Sequence, residues 1–220
     1  MTIGAVICDF GGVLTTPLHH AFKAVEEETG IGLEPIGRAM QSAAEQRGMV
    51  PLFELETGRI SEVEFLALLS EHLEPELGRR PTFEGFRELY FGALDPNDAM
   101  IELMKVAGER GHRMALLTNN VAEWEPLWRS MLPVDDIFEL VVDSAAVGMR
   151  KPDREIYELT LERLDGIDPA SCLFIDDTEH NCDAARDVGM AAVHFRDNEQ
   201  AIAEIEAALH GERDAEGSTG

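Results

Sequence analysis

The chain opens on an apolar run, Ile3-Gly4-Ala5-Val6-Ile7-Cys8, that leads into Asp9 and then Gly11-Gly12. Such a run predicts a strand buried on both faces, and the glycines predict a tight loop after it. Similar short apolar blocks recur at Met114–Leu117, Phe138–Val142, Cys172–Ile175 and Ala191–Phe195. Between them the spacing is helical. Asn97 is expected to cap a helix carrying Ile101, Met104 and Gly108, and Gly111 ends it; Val121, Trp124 and Leu127 mark a second; Tyr157, Leu161 and Leu164 a third; Ala184, Ala185 and Val188, closed by Gly189, a fourth; Ile202, Ile205 and Leu209 a last. Strands alternating with helices imply right-handed crossovers. The fold class expected is therefore α/β, a doubly wound parallel sheet covered on both faces.

From about Pro17 to Leu94 the rhythm differs, with helical spacing and no convincing strand. Ser61 and Glu64 form a capping-box pattern, followed by Phe65, Leu69 and Leu73 at four-residue intervals. Further segments run through Ala21 and Val25, through Ile36, Met40 and Ala44, and through Phe83, Phe86 and Tyr90. The expected organisation is an α/β core over residues 1–16 and 95–210, an inserted helical cap over 17–94, and a disordered acidic tail over 211–220.

Charge narrows the partners. Forty-three acidic against eighteen basic residues give a formal charge of -25, which repels phosphate backbones and anionic lipid. Nucleic acid is not an expected partner, and no apolar run approaches the roughly 18 residues of a membrane helix. Cys8, Cys172 and Cys182 lack metal-ligand spacing, and Cys8 and Cys172 sit within apolar runs, so reduced core thiols in a cytoplasmic protein are expected. Only three lysines occur, at positions 23, 105 and 151.

In an open parallel sheet, ligands bind at the carboxyl ends of the strands. The residues that follow the apolar blocks there are Asp9, Thr118 with Asn119, and Asp176 with Asp177, while Lys151 lies at a loop-to-helix boundary. Together they offer a carboxylate nucleophile, a hydroxyl and an amide for an oxyanion, a cation, and hard oxygen ligands for Mg²⁺. Those are the parts of a phosphoryl-transfer site. Backbone amides near Gly11 and Gly12, with Thr118 and Lys151, are the candidates for binding phosphate oxygens.

At these residues the sequence resembles the haloacid dehalogenase superfamily, most of whose members are Mg²⁺-dependent phosphatases. Asp9-Phe10-Gly11-Gly12-Val13-Leu14 looks like its first motif, Leu117-Thr118-Asn119 its second, Lys151-Pro152 its third, and Ile175-Asp176-Asp177 with Asn181 its fourth. The resemblance is strongest to bacterial sugar-phosphate phosphatases and to the N-terminal phosphatase domain of soluble epoxide hydrolases. It implies Asp9 as nucleophile, Mg²⁺ held by Asp9, the Gly11 carbonyl and Asp177, and Asp176 binding through water or orienting that shell. The implied substrate is a small phosphorylated metabolite such as a sugar phosphate.

One position departs from the pattern. Where the family's phosphatases carry a second aspartate, the general acid and base, this chain has Gly11. Such a group contributes about 10²- to 10⁴-fold. His19 and His20 are candidates to take over its proton transfer, against the blander expectation of exposed residues at the cap hinge. Two rival functions follow from the same gap: a 2-haloacid dehalogenase, which needs no Mg²⁺, and a non-catalytic phosphate-binding protein.

Overall fold

A computed structural model describes residues 2–210. In chain order the elements are β1 (Ala5–Cys8), α1 (His19–Thr29), α2 (Leu33–Arg47), α3 (Pro51–Glu56), α4 (Glu62–Leu77), α5 (Phe86–Gly92) and α6 (Asp98–Glu109). Then come β2 (Arg113–Thr118), α7 (Glu125–Ser130), α8 (Val134–Ile137), β3 (Leu140–Asp143), α9 (Ser144–Val147) and α10 (Arg154–Arg163). The chain continues through β4 (Cys172–Asp176), α11 (Glu179–Val188), β5 (Ala191–His194) and α12 (Asn198–His210). The five strands form one parallel sheet in the order β3-β2-β1-β4-β5. The expected tail over 211–220 lies outside the described residues.

Neighbouring residues of a strand face opposite sides, so an unbroken apolar run can only be satisfied by burial on both. On one face Val6, Cys8, Leu116 and Ile175 pack against α6, α8 and α12 through Met104, Ile137 and Ile205. On the other, Ala5, Ile7, Leu117 and Phe174 pack against α10 and α11 through Tyr157, Leu161 and Ala185. The central position goes to β1, flanked by β2 and β4. That order brings the ends of β1, β2 and β4 side by side.

Helices α1 to α5 surround a third apolar cluster that includes Val25, Leu55, Leu69, Leu73 and Tyr90. The chain leaves and re-enters the sheet layer at one place, where Thr15 pairs with Pro96 and the Thr16 amide donates to Asp95 O at 2.8 Å. The expected capping box is formed: Ser61 Oγ accepts from the Glu64 amide, and the Glu64 carboxylate accepts from the Ser61 amide.

Three local expectations need correction. The third strand starts at Leu140 rather than Phe138, because the Phe138 amide is committed to Val134 O at the end of α8. The segment through Val121 and Leu127 is not one helix but a 3-10 turn, Ala122–Trp124, followed by α7, whose first turn carries Pro126. Asn97 sits at the N-cap of α6, yet its side chain does not cap it. It donates to Val13 O and to Asn198 Oδ1, each at 2.8 Å, and so ties α12 to the loop after Asp9.

Two substitutions separate capping from packing in the helical segment. Ser61→Ala is expected to lower stability by about 1 kcal/mol, and Leu73→Ala, fully buried, by about 2–5 kcal/mol. Urea denaturation of the two variants would measure both.

Candidate active site

Asp9 follows β1 directly, and its amide still pairs with Ile175 O at 2.9 Å, so the strand's hydrogen bonding holds the nucleophile candidate in place. Its Oδ1 lies 2.7 Å from Lys151 Nζ, and the same Nζ lies 2.7 Å from Asp176 Oδ2. All three residues are buried. Asp177, one residue further, is half-buried, and Asp9, Asp176 and Asp177 each offer a carboxylate oxygen within 4.8 Å of the others.

Burial, with the Asp176 and Asp177 carboxylates nearby, pushes the Asp9 carboxyl up to about 8, against the opposing pull of Lys151. Burial and Asp176 likewise raise Asp177. For Lys151, burial alone would favour the neutral amine, but the carboxylates of Asp176 and Asp9 outweigh it and hold the ammonium above its ordinary range. One cation therefore faces three carboxylates. An all-oxygen donor set with this excess of negative charge fits a hard divalent ion such as Mg²⁺.

The rest of the site orients these groups. Asp176 Oδ1 accepts from the Thr178 amide at 2.8 Å and from Asn181 Nδ2 at 3.0 Å, so with Lys151 on its other oxygen Asp176 is held rigidly. Asn119 clamps the lysine: its Nδ2 donates to Lys151 O at 2.9 Å and its Oδ1 accepts from the Lys151 amide at 2.8 Å. Thr118, buried at the end of β2, lines the cleft with Asn119 and Gly11.

The loop after Asp9 is fixed at Gly12. Its N–H donates to Thr15 Oγ1 at 3.0 Å, closing the loop on itself. Gly12 also supplies clearance, since its φ is 77° and a Cβ there would collide with the Asp177 carboxylate. The volume beside Gly11 is taken by Leu18, whose two methyl carbons lie 3.3 Å from where a Cβ would stand. His19 and His20 are exposed on the first turn of α1, stacked edge to face at 4.5 Å, and neither lines the cleft. This matches the blander expectation for them.

The cleft, about 510 Å³, is also lined by residues that sequence reasoning missed: Glu56, Arg150, Asp153 and His180. Arg150 Nε lies 2.6 Å from Glu56 Oε2, and its guanidinium stacks 3.9 Å over Phe53, so α3 is latched to the loop that carries Lys151. Burial raises the Glu56 carboxyl despite Arg150. Arg150 stood next to a motif lysine and could have been flagged; Glu56 is one of many acidic residues in a helix and had no signal. A second link joins Glu62, at the start of α4, to Trp124 Nε1 at 2.8 Å and to Arg87 at 3.4 Å.

The central strands of the parallel sheet carry Asp9, Thr118 and the Asp176–Asp177 pair to one edge, where Lys151 meets them from the loop before α10, and this defines an α/β protein with a carboxylate-rich site around one buried ammonium. The chain belongs to the haloacid dehalogenase-like hydrolase family, whose model matches residues 3–189. It is 33% identical to a phosphatase, MT3486, of Mycobacterium tuberculosis, over 87% of each chain. It is 30% identical to the sesquiterpene phosphatase astK of Aspergillus oryzae, over 90% of this chain and 92% of that one. Bifunctional epoxide hydrolase 2 of Sus scrofa is 25% identical over 94% of this chain, which spans only 39% of that protein's length. A HAD family enzyme of Bacteroides thetaiotaomicron, solved with magnesium and inorganic phosphate, shares the fold with a TM-score of 0.64 at 23% identity, over 88% of this chain and 94% of that one. No helix among the described residues is long and apolar enough to cross a membrane.

The carboxylate cluster makes stability depend on pH with a defined sign. Asp9 binds its proton more tightly folded than unfolded, so in metal-free protein its contribution favours the folded state at low pH. That contribution is lost as pH rises from the ordinary 3.8 through about 8. Added Mg²⁺ should accordingly raise the melting temperature more at about pH 8.5 than at about pH 5.5, read by thermal melts with Mg²⁺ or EDTA.

Proposed function

We propose that this protein is a Mg²⁺-dependent hydrolase of phosphomonoesters that works through an aspartyl-phosphate on Asp9, with residues 17–94 acting as a cap over the site. The observation that carries the reading is the shared lysine: Lys151 Nζ stands 2.7 Å from both Asp9 Oδ1 and Asp176 Oδ2 beside a third carboxylate. The phosphatase names of the relatives of similar length support it.

In this reading an Asp9 oxygen attacks phosphorus, and the bond from phosphorus to the ester oxygen breaks. With no carboxyl at Gly11, the departing alkoxide takes its proton from solvent. Water then attacks phosphorus, which releases phosphate and regenerates Asp9. Mg²⁺, held by Asp9, Asp177 and the Gly11 carbonyl and oriented by Asp176, would neutralise charge on the transferred group. Lys151 neutralises part of the phosphate charge and restrains Asp9, and Thr118 Oγ1 donates to a phosphate oxygen. Asn119 acts on the lysine by holding its backbone.

Phosphate release across a panel of phosphomonoesters tests the reading. Activity should require Mg²⁺, vanish in EDTA, and fall by at least about 10³-fold in Asp9→Asn. Full activity in that variant, or turnover without metal, would overturn it. Metal-independent chloride release from a 2-haloacid would favour the dehalogenase instead, and phosphate binding with no turnover on any ester would favour a binding protein.

A further inference from the structure

A second cavity, about 340 Å³, lies between the helical segment and the sheet edge and opens onto the polar cleft. Gly11, Leu18, Glu56, Thr118 and Asn119 line both. Beyond that shared mouth the walls are mainly apolar, with Thr15 and Asn120 as polar members. Aromatic side chains, among them Phe22, Phe65, Phe86, Tyr90, Phe91 and Trp124, form much of the lining, and several pack on one another, as Tyr90 does on Phe86, stacked with centroids 6.1 Å apart. Aliphatic side chains of α2 and α4, Ile36, Met40 and Leu69, line this chamber and not the polar cleft.

We infer that this chamber receives the organic group of the substrate, and that the substrate is the phosphate monoester of an apolar alcohol rather than of a sugar. The inference rests on the hydrolase reading for the phosphate end and on the chamber for the other. An ester whose phosphate occupies the polar cleft has its organic group directed through the shared mouth, because the two cavities meet at Gly11, Thr118 and Asn119. At about 30 Å³ for each water-sized group, the chamber holds roughly eleven such groups, enough for a hydrocarbon of about ten carbons.

A sugar would fit poorly there. Each hydroxyl buried against Phe65, Leu69 or Phe86 without a partner lowers affinity about 5- to 150-fold, whereas each buried methylene raises it about fourfold. The glycine at position 11 belongs to the same picture. Leu18 fills the space beside Gly11 and lines both cavities, so the passage between them is walled by a hydrocarbon side chain where a carboxylate would otherwise project.

Kinetics with Mg²⁺ on n-alkyl phosphates from ethyl to dodecyl, together with glucose 6-phosphate and glycerol 3-phosphate, decide the matter. We expect kcat/KM to rise about fourfold per methylene up to about ten carbons, then level off, with both polyol phosphates below octyl phosphate by at least about 100-fold. Met40→Trp, which fills part of the chamber, should move the optimum to shorter chains. Affinities of n-alkylphosphonates for the Mg²⁺-loaded wild-type protein, measured by calorimetry, give the same slope without needing turnover. If no ester is hydrolysed, the hydrolase reading fails while the phosphonate slope still decides the chamber. A flat chain-length series in both measurements, or a preference for the polyol phosphates, overturns the inference.

Discussion

The site depends on one buried ammonium shared by two carboxylates. Lys151 is fully enclosed and touches both Asp9 and Asp176, and removing one partner of a buried charge set is strongly destabilising because the others are left uncompensated. The lysine lowers the repulsion between the two aspartates without cancelling it, since Asp177 adds a third negative charge beside them. What remains is a preorganised excess of negative oxygen donors on one side of Asp9.

Sheet order is what brings these charges together. With β1 central and β2 and β4 as its neighbours, Asp9, Thr118 and Asp176 arrive from far-apart parts of the chain at one edge. The loops then adjust the fine placement. Asn119 replaces a missing stretch of sheet by offering its side-chain amide to both backbone groups of Lys151, and Asn181 does similar work on Asp176. Gly12 allows the loop after β1 to pass against Asp177 where any side chain would clash.

The helical segment is joined to this edge by contacts of a different kind. Arg150 to Glu56, Glu62 to Trp124, and Arg87 to the Glu123 carbonyl are side-chain links across the junction, while its apolar cluster is largely its own. The polar cleft is built mainly by the sheet layer and the apolar chamber mainly by the helices. The polar and the apolar cavity are thus walled mainly by different parts of one chain.

Much of this was legible in the amino-acid order, because its signals are local. Short apolar runs bounded by glycines and alternating with helical spacing read as strands buried on both faces, and polar residues at their ends, with one lysine at a loop-to-helix boundary, allowed Asp9, Thr118, Lys151, Asp176 and Asp177 to be picked out from position and residue type. The capping box at Ser61 is likewise a short-range pattern. Where a local signal misled, distant partners had intervened: Asn97 turned to Val13 and Asn198 instead of capping α6. Glu56 and the aromatic chamber left no mark that could be read in advance, since an acidic residue on a helix and a Phe at helical spacing are equally consistent with solvent or core. Only the tertiary packing of α1 to α5 against the sheet edge decided that these side chains face a cavity, because a cavity is defined by surfaces that meet across the fold and not by any one stretch of chain.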